Sequence, residues 1–245
     1  MDVDAYAQMA SHEADHWWFV GRRAVLRAVL SRLDLPPDAR ILEAGCGTGG
    51  NLYFLKQLGE VSAFEPHEPA LEITRSRHPE VQLEAGALPH GLPFSEGTFD
   101  LVAALDVLEH VDDDVGALDA LIALAKPGGH VLISVPTHPI LFGSHDRRLH
   151  HVRRYDVGDL RRMVDATGCD VMYFGAYNTV LAPLAFALRL AEKALPLDFG
   201  NQERRPTPLA NATLSWLFSL ERHVAKRRPI PFGISQVVAL RVPST

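Results

Sequence analysis

Two groups of residues in this chain of 245 carry types and spacings that could do chemistry. The first is Glu43, Gly45, Gly47 and Gly49, read from the run ILEAGCGTGG. Glycines two apart behind a short apolar run adopt φ values that other residues resist, and they let the main chain come close to a ligand. A helix that starts immediately afterwards points its first unpaired N–H groups into that turn. About twenty positions on, Glu65 ends a second apolar run and is placed to accept both hydroxyls of a ribose; its bland alternative is a solvated strand-end carboxylate. The spacing separates cofactors. Dinucleotide sites use G-x-G-x-x-G, whereas here an acidic residue precedes G-x-G-x-G, and the chain has no Tyr-x-x-x-Lys pair. Both features argue against a nicotinamide-dependent oxidoreductase.

The second group is His138, His145, His150 and His151, within fourteen residues and interleaved with Asp146, Arg153, Arg154 and Tyr155. Three readings stand side by side. The imidazoles are hydrogen-bonded parts of a polar loop; or one of them is a general base, since neutral imidazole takes a proton near working pH; or His145, Asp146 and His150 hold a metal. His145 beside Asp146 and the His150–His151 pair are the base candidates. Zinc would need its ligands to converge, and harder cations would want more carboxylates. Arg153 and Arg154 pair either with an anionic substrate or with acidic residues of the chain itself.

These groups need strands and helices to hold them. Apolar runs predict strands at 41–43, 61–64, 81–85, 99–105, 131–135, 171–174 and 234–242, and helical periodicity falls between them at 51–58, 68–77 and 112–125, with another helix capped by Asp156 and stopped at Gly168. Lys126-Pro127-Gly128-Gly129 reads as a turn into the fifth strand. Residues 1–33 are helical in character. Three adjacent aromatics, Trp17-Trp18-Phe19, cannot share one helix face. Either the segment packs on the sheet edge, or it is a lid in which Trp17 or Phe19 covers a ligand while Arg22 or Arg23 meets a carboxylate. Some sixty residues, 176–232, separate the last two strands, far more than a connection requires. They contain apolar helical stretches at 181–195 and 214–224, too short and too charged to span a bilayer.

The bulk numbers suit one domain with an insertion: 47% hydrophobic, 22% charged, net charge −6. That charge argues against general nucleic-acid binding. It is unevenly spread: nine Lys/Arg against four Asp/Glu from Val171 onward give +5, leaving −11 before it. A basic end on an apolar helix fits a pocket cap, a dimer face or a membrane-surface helix. Two cysteines build neither a disulfide framework nor a cysteine metal site, and Cys46 reads as a small residue in the glycine turn. An acidic, polar N-terminus carries no signal peptide, so cytoplasm is the expected compartment.

The acidic-x-G-x-G-x-G turn, Glu65, Leu92-Pro93-Phe94 before Phe99-Asp100-Leu101-Val102, the run Asp106-Val107-Leu108-Glu109-His110 and KPGG stand in the order found in class I S-adenosylmethionine-dependent methyltransferases. The chain resembles that family over some 95 residues. The HD…H…RRY segment after the fifth strand is similar to one branch of it, with no residue roles to carry over. The resemblance implies an α/β Rossmann-like seven-stranded sheet in the order 3-2-1-4-5-7-6 with an antiparallel last strand. An N-terminal helical lid (1–33) and a helical cap (176–232) on a single domain (1–245) are the expected organisation. S-adenosylmethionine, leaving as S-adenosylhomocysteine, would be held by Glu43, Gly45, Cys46, Gly47, Gly49, Asn51, Glu65, Pro66, Ala87, Leu88, Asp106, Val107 and His110. Ala87 stands where such enzymes usually place an acidic residue at the adenine. The sulfonium methyl is already activated, so no metal is needed in principle. The expected acceptor is a hydroxyl on a small or lipid-linked compound, with His145, Asp146 and His150 as the catalytic candidates. Trp17, Phe19, Arg23, His138 and Tyr155 are the expected acceptor contacts. N- or C-methylation and a non-catalytic S-adenosylmethionine-binding adaptor are the alternatives. A monomer or homodimer without nucleic acid is expected, with peripheral membrane contact through the insertion as an option.

Overall fold

The strand pattern becomes a sheet in the computed structural model, which describes residues 3–194 and 206–244. β1 (Ala39–Ala44), β2 (Gly59–Glu65), β3 (Gln82–Ala85), β4 (Phe99–Leu105), β5 (Ala125–Pro136), β6 (Asp170–Tyr177) and β7 (Ser235–Arg241) pair in the order 3-2-1-4-5-7-6. The first five run parallel, and β7 is antiparallel to both neighbours. The helices are α1 (Val3–His12), α2 (Trp17–Leu30), α3 (Leu52–Leu55), α4 (Glu68–Arg77), α5 (Asp114–Leu124), α6 (Ser144–Arg148), α7 (Val157–Ala166), α8 (Ala182–Ala194), α9 (Pro208–Ser219) and α10 (Glu221–Ala225).

Side chains alternate across each strand, so consecutive apolar residues feed two separate cores. Ile41, Ala63, Leu101, Ala103, Leu132, Val237 and Ala239 meet Val25, Leu26 and Val29 of α2 with Phe218 of α9. Leu42, Ala44, Phe64, Val102, Ala104, Ile133 and Val238 meet Leu118 and Leu121 of α5 with Leu160 and Val164 of α7. The strands, covered on both faces, leave their carboxyl ends as the place for a ligand.

Several boundaries differ from those expected. The helix predicted over 51–58 shrinks to α3, because the chain must enter β2 at Gly59, where a Cβ would stand 2.0 Å from the Ala39 carbonyl oxygen. Residues 1–33 split in two: His16 caps α2 by accepting from the Trp18 N–H at 3.4 Å. The turn at 126–129 is a bulge inside β5, where pairing jumps from Phe99–Ala125 to Leu101–His130. The helix expected at 214–224 starts earlier, at Pro208 behind a Thr207 cap, and bends at Leu220 into α10. Residues 195–205 of the expected insertion lie outside the described residues.

Helix α2 is held against the far part of the chain. Trp17 and Trp18 lie 6.1 and 5.6 Å, ring to ring, from Phe218, and the Trp17 N–H donates to Asn211 Oδ1 at 2.8 Å. Gly21 allows this approach, since a Cβ there would fall 2.3 Å from the Phe218 ring. At the other end of the insertion, Glu221 accepts from the N–H groups of Asn178, Thr179 and Val180 at 2.7, 2.7 and 2.9 Å, tying α10 to the end of β6.

Candidate active site

The glycine turn is built as its spacing demands. Gly45, Gly47 and Gly49 have φ of 68°, 55° and 82°, in the left-handed region that side chains disfavour. The N–H groups of Gly45 and Cys46 both donate to the Phe64 carbonyl, at 2.9 and 3.1 Å. The next amide, that of Gly47, donates to Glu65 Oε2 at 2.9 Å. The turn thereby stands against the end of β2, and Glu65, 5% exposed, faces it. His67 sits on the other oxygen, its Nδ1 3.1 Å from Glu65 Oε1. Tyr6, which the sequence offered no signal for, lines the same space with its ring 5.9 Å from that of His67.

A second network runs beneath the turn. Asn51 donates to Glu43 Oε1 at 2.7 Å and accepts from Arg22 Nη1 at 3.2 Å, while Arg22 Nε pairs with Asp106 Oδ2 at 2.8 Å. Ser134 Oγ donates to the other oxygen of Asp106 at 2.9 Å. Asp106 itself has φ 59°, a turn made directly at the end of β4. The arginine that meets a carboxylate is therefore Arg22, and the carboxylate is the chain's own. Arg23 borders the cavity and donates to the carbonyls of Glu13 and Ala14 at 2.6 and 2.8 Å beyond the end of α1. Glu13, also unforeseen, accepts from Thr48 Oγ1 at 2.9 Å and pairs with Arg77, locking α1 to the turn.

Glu43 does not reach the cavity; it lies behind Asn51, as Gly49 lies against His78. Burial raises the Glu43 carboxyl to about 8, against the opposing pull of Asn51 and Arg22. The sign follows from linkage: a carboxyl raised on folding keeps its proton in the native state, so stability is full below the unfolded pKa near 4.5 and falls as pH rises toward 8. At 1.36 kcal/mol per unit, wild-type protein is expected to lose about 3–4 kcal/mol between pH 5 and 8 that Glu43→Gln does not lose. Urea unfolding of both proteins at the two pH values checks this, and parallel pH profiles would refute it.

The histidine segment, residues 137–155, is an excursion closed at its base by a parallel bridge between Thr137 and Tyr155. The Val152 N–H donates to the Glu109 carbonyl at 2.9 Å, fastening the excursion beside the 3₁₀ turn Leu108–His110. Asp146 is fully enclosed. It accepts from the Gly143 N–H at 2.9 Å, Arg154 Nε at 2.7 Å and the His151 ring at 3.1 Å. Although burial opposes it, these partners hold its carboxyl well below the usual range. Asp146 is thus a structural knot out of reach of any acceptor, which corrects its place among the catalytic candidates. Arg154 pairs at home, and Arg153 does so with Asp114 at 2.5 Å.

Two of the expected acceptor contacts also point elsewhere. Tyr155 donates to Asp114 Oδ2 at 2.9 Å within the α5–α7 core, and His138 lies between Phe186 and Phe232 with its Nε2 2.9 Å from the Gly233 carbonyl oxygen. Neither lines the cavity. His145 and His150 do, as do Trp17 and Phe19. Burial, then Arg189, lowers His145 to about 4, and burial, then His151, lowers His110 to about 4, so both imidazoles are neutral at pH 7.

One cavity of about 1080 Å³ joins these parts. Gly45–Thr48, Asn51, Glu65, Pro66, Ala87 and Leu88 border it, as do Asp106, Val107 and His110; Leu181, Leu184, Leu188 and Leu214 of the insertion complete its wall. The cradle suits S-adenosylmethionine. An added Cβ on Gly47 would meet only Met9 Cε at 3.5 Å, so the glycine answers to φ and to the approach of a ligand rather than to crowding.

A family model described as a methyltransferase domain matches residues 18–173, more than half of the chain. A ubiquinone biosynthesis O-methyltransferase of Alkalilimnicola ehrlichii is 35% identical over 100 residues, 39% of this chain and 40% of its own length. A demethylmenaquinone methyltransferase of Streptomyces avermitilis is 35% identical over 121 residues, covering 49% and 50%. The chain therefore spans half or less of the length of these two relatives. Among solved structures, the S-adenosylmethionine-dependent methyltransferase of Mesorhizobium loti superposes with a TM-score of 0.57 at 19% identity, over 89% of this chain and 97% of that one; at that identity the likeness speaks for the fold. Glycine turn, strand order and family match agree, and the chain belongs to the class I S-adenosylmethionine-dependent methyltransferases, with S-adenosylmethionine as its cofactor.

Proposed function

We propose that this methyltransferase modifies a hydroxyl group on a small or lipid-linked acceptor with apolar bulk. The observation that carries the reading is one cavity bordered by the glycine turn, Glu65 and Asp106 and also by His145, His150 and leucines of α8 and α9. When bound, S-adenosylmethionine supplies an activated methyl group on sulfur. The work left to the chain is alignment of the acceptor oxygen and removal of its proton. In this reading Glu65 takes the ribose hydroxyls, and the Gly45–Gly47 backbone receives the methionine part. Asn51 with Glu43 behind it orients the amino group, while Ala87 and Leu88 border the adenine. His145 Nδ1 is buried without a hydrogen-bond partner among the described residues, and with His150 it is the proton acceptor of the proposed reaction. Helices α1 and α2 act as the lid and α8–α10 as the cap. The ubiquinone biosynthesis O-methyltransferase supports an O-methylated acceptor, and both quinone-related relatives support one with apolar bulk.

Assay of a panel of phenols with and without alkyl tails, using isotope-labelled cofactor, tests this. Label recovered as a methyl ether, with the tailed acceptors favoured, is expected; label on nitrogen or carbon, or none, overturns it.

No helix among the described residues is long and apolar enough to cross a membrane. The outer side of α9 and α10 nevertheless exposes Leu209, Trp216, Leu220 and Val224, beside Arg222, Lys226, Arg227 and Arg228. Apolar side chains with flanking cations suit the surface of an anionic bilayer. Sedimentation with phosphatidylserine vesicles is expected to carry the protein down at low salt and to fail for Trp216→Ser; indifference to both vesicle and variant would dismiss membrane contact.

A further inference from the structure

Glu109 is 0% exposed, and neither of its carboxylate oxygens meets a donor of another residue among the described residues. A buried carboxylate without partners is costly. The cations that come nearest by charge are already engaged: Arg22 pairs with Asp106 at 2.8 Å and Arg154 with Asp146 at 2.7 Å. Beside Glu109 stand two imidazoles. His110 follows it in the same turn, and His151 arrives from the histidine segment that Val152 pins to the Glu109 carbonyl. One ligand atom from each of the three residues lies within 4.8 Å of the others, and all three residues border the cavity.

We propose that Glu109, His110 and His151 bind one divalent cation of the zinc, manganese or iron kind. One carboxylate with two imidazoles is a donor set that such ions accept, and it leaves coordination positions open toward the cavity. Bonds of about 2.0–2.2 Å require ligand atoms roughly 3–4 Å apart, so the three need to close by only about an ångström. Two surrounding contacts are those a ligand histidine needs. The His151 Nδ1 faces Asp146 Oδ1 at 3.1 Å, which commits that nitrogen to the carboxylate and leaves Nε2 for a metal. Asp146 is in turn immobilised by Gly143 and Arg154. The His110 ring is bonded to the main chain of His150, whose left-handed φ of 59° turns the backbone at that point. The triad differs from His145, Asp146 and His150, the set suggested by sequence order: Asp146 sits one layer out.

Such a cation would not act on the methyl group. Its open positions would take the acceptor's oxygen, promote transfer of that hydroxyl's proton to the His145 imidazole and fix the oxygen in the cavity. This role rests on the O-methylation reading; the binding of the ion does not.

The test uses the full chain, stripped with a chelator and titrated with Co²⁺ alone, whose visible absorption reports its ligands. One equivalent is expected to bind with bands of a mixed nitrogen–oxygen set. Glu109→Gln and His151→Gln should each weaken uptake by more than the roughly 10- to 100-fold seen on perturbing outer contacts. Retained S-adenosylmethionine binding in these variants shows that they are folded. No uptake by the wild type, or equal uptake by wild type and both variants, overturns the site. Cobalt binding without methyl transfer to any hydroxyl would keep the site and remove the O-methylation reading. Methyl transfer indifferent to chelator, with no cobalt uptake, would do the reverse.

Discussion

Glu65→Ala is expected to weaken S-adenosylmethionine and S-adenosylhomocysteine alike, by roughly 100- to 1000-fold. Hydrogen bonds to a charged acceptor contribute about 1.5–3 kcal/mol each, so losing the two proposed ribose bonds costs about 3–4 kcal/mol after partial compensation by water. The equality of the two losses is the informative part, because the ribose is common to both ligands while the methyl is not. Alanine also leaves the Gly47 N–H without the oxygen it meets at 2.9 Å. Glu65→Gln keeps an acceptor for that amide and lacks the charge, so it should fall between wild type and alanine. Calorimetric titration of the three proteins with both ligands decides. Unchanged affinity in a folded Glu65→Ala protein would remove Glu65 from the cofactor site.

The second large effect is expected at Arg22. Its side chain is 3% exposed and joins three elements: Asp106 at the end of β4, Asn51 before α3, and through Asn51 the buried Glu43 at β1. Removing one partner of a buried ion pair leaves the other uncompensated, at about 3–5 kcal/mol. The Asp106 side chain is 28% exposed, which softens the loss to about 2–4 kcal/mol. For a chain of this size Arg22→Met should then lower Tm by roughly 10 °C. Adding Asp106→Asn removes the stranded charge, so the double variant should regain more than half of that loss. Strict additivity of the two single effects would show that the pair is not coupled.

Both residues illustrate what was legible beforehand. The place of Glu65 against the glycine turn depends only on position along the chain: an acidic residue at the end of the strand that follows such a turn has little choice of neighbour. The same holds for the glycines, whose φ values of 55° to 82° are demanded by the turn itself, and for the Asp156 cap of α7, which accepts from the N–H groups of Gly158 and Asp159. Arg22 was visible only as one of two adjacent arginines. Neighbours on a helix point about 100° apart, and which of them turned inward depended on how α2 lay on the sheet. Gly21 decided that by admitting the Phe218 ring.

The histidine segment shows the opposite limit. Its composition announced polar chemistry, yet four imidazoles in one loop have no periodicity from which directions follow. His138 turned to the Gly233 carbonyl and His145 into the cavity, while His151 met Asp146, and Asp146 became an anchor. Residue spacing along strands and turns is a local property of the backbone, and so the cofactor half and the strand order could be read from the chain alone. Pairings such as Arg22 with Asp106, 84 positions apart, or His151 beside Glu109 and His110, arise only when separate elements are packed together. There the burial of charge and the available hydrogen-bond partners, rather than neighbours in sequence, select the contact.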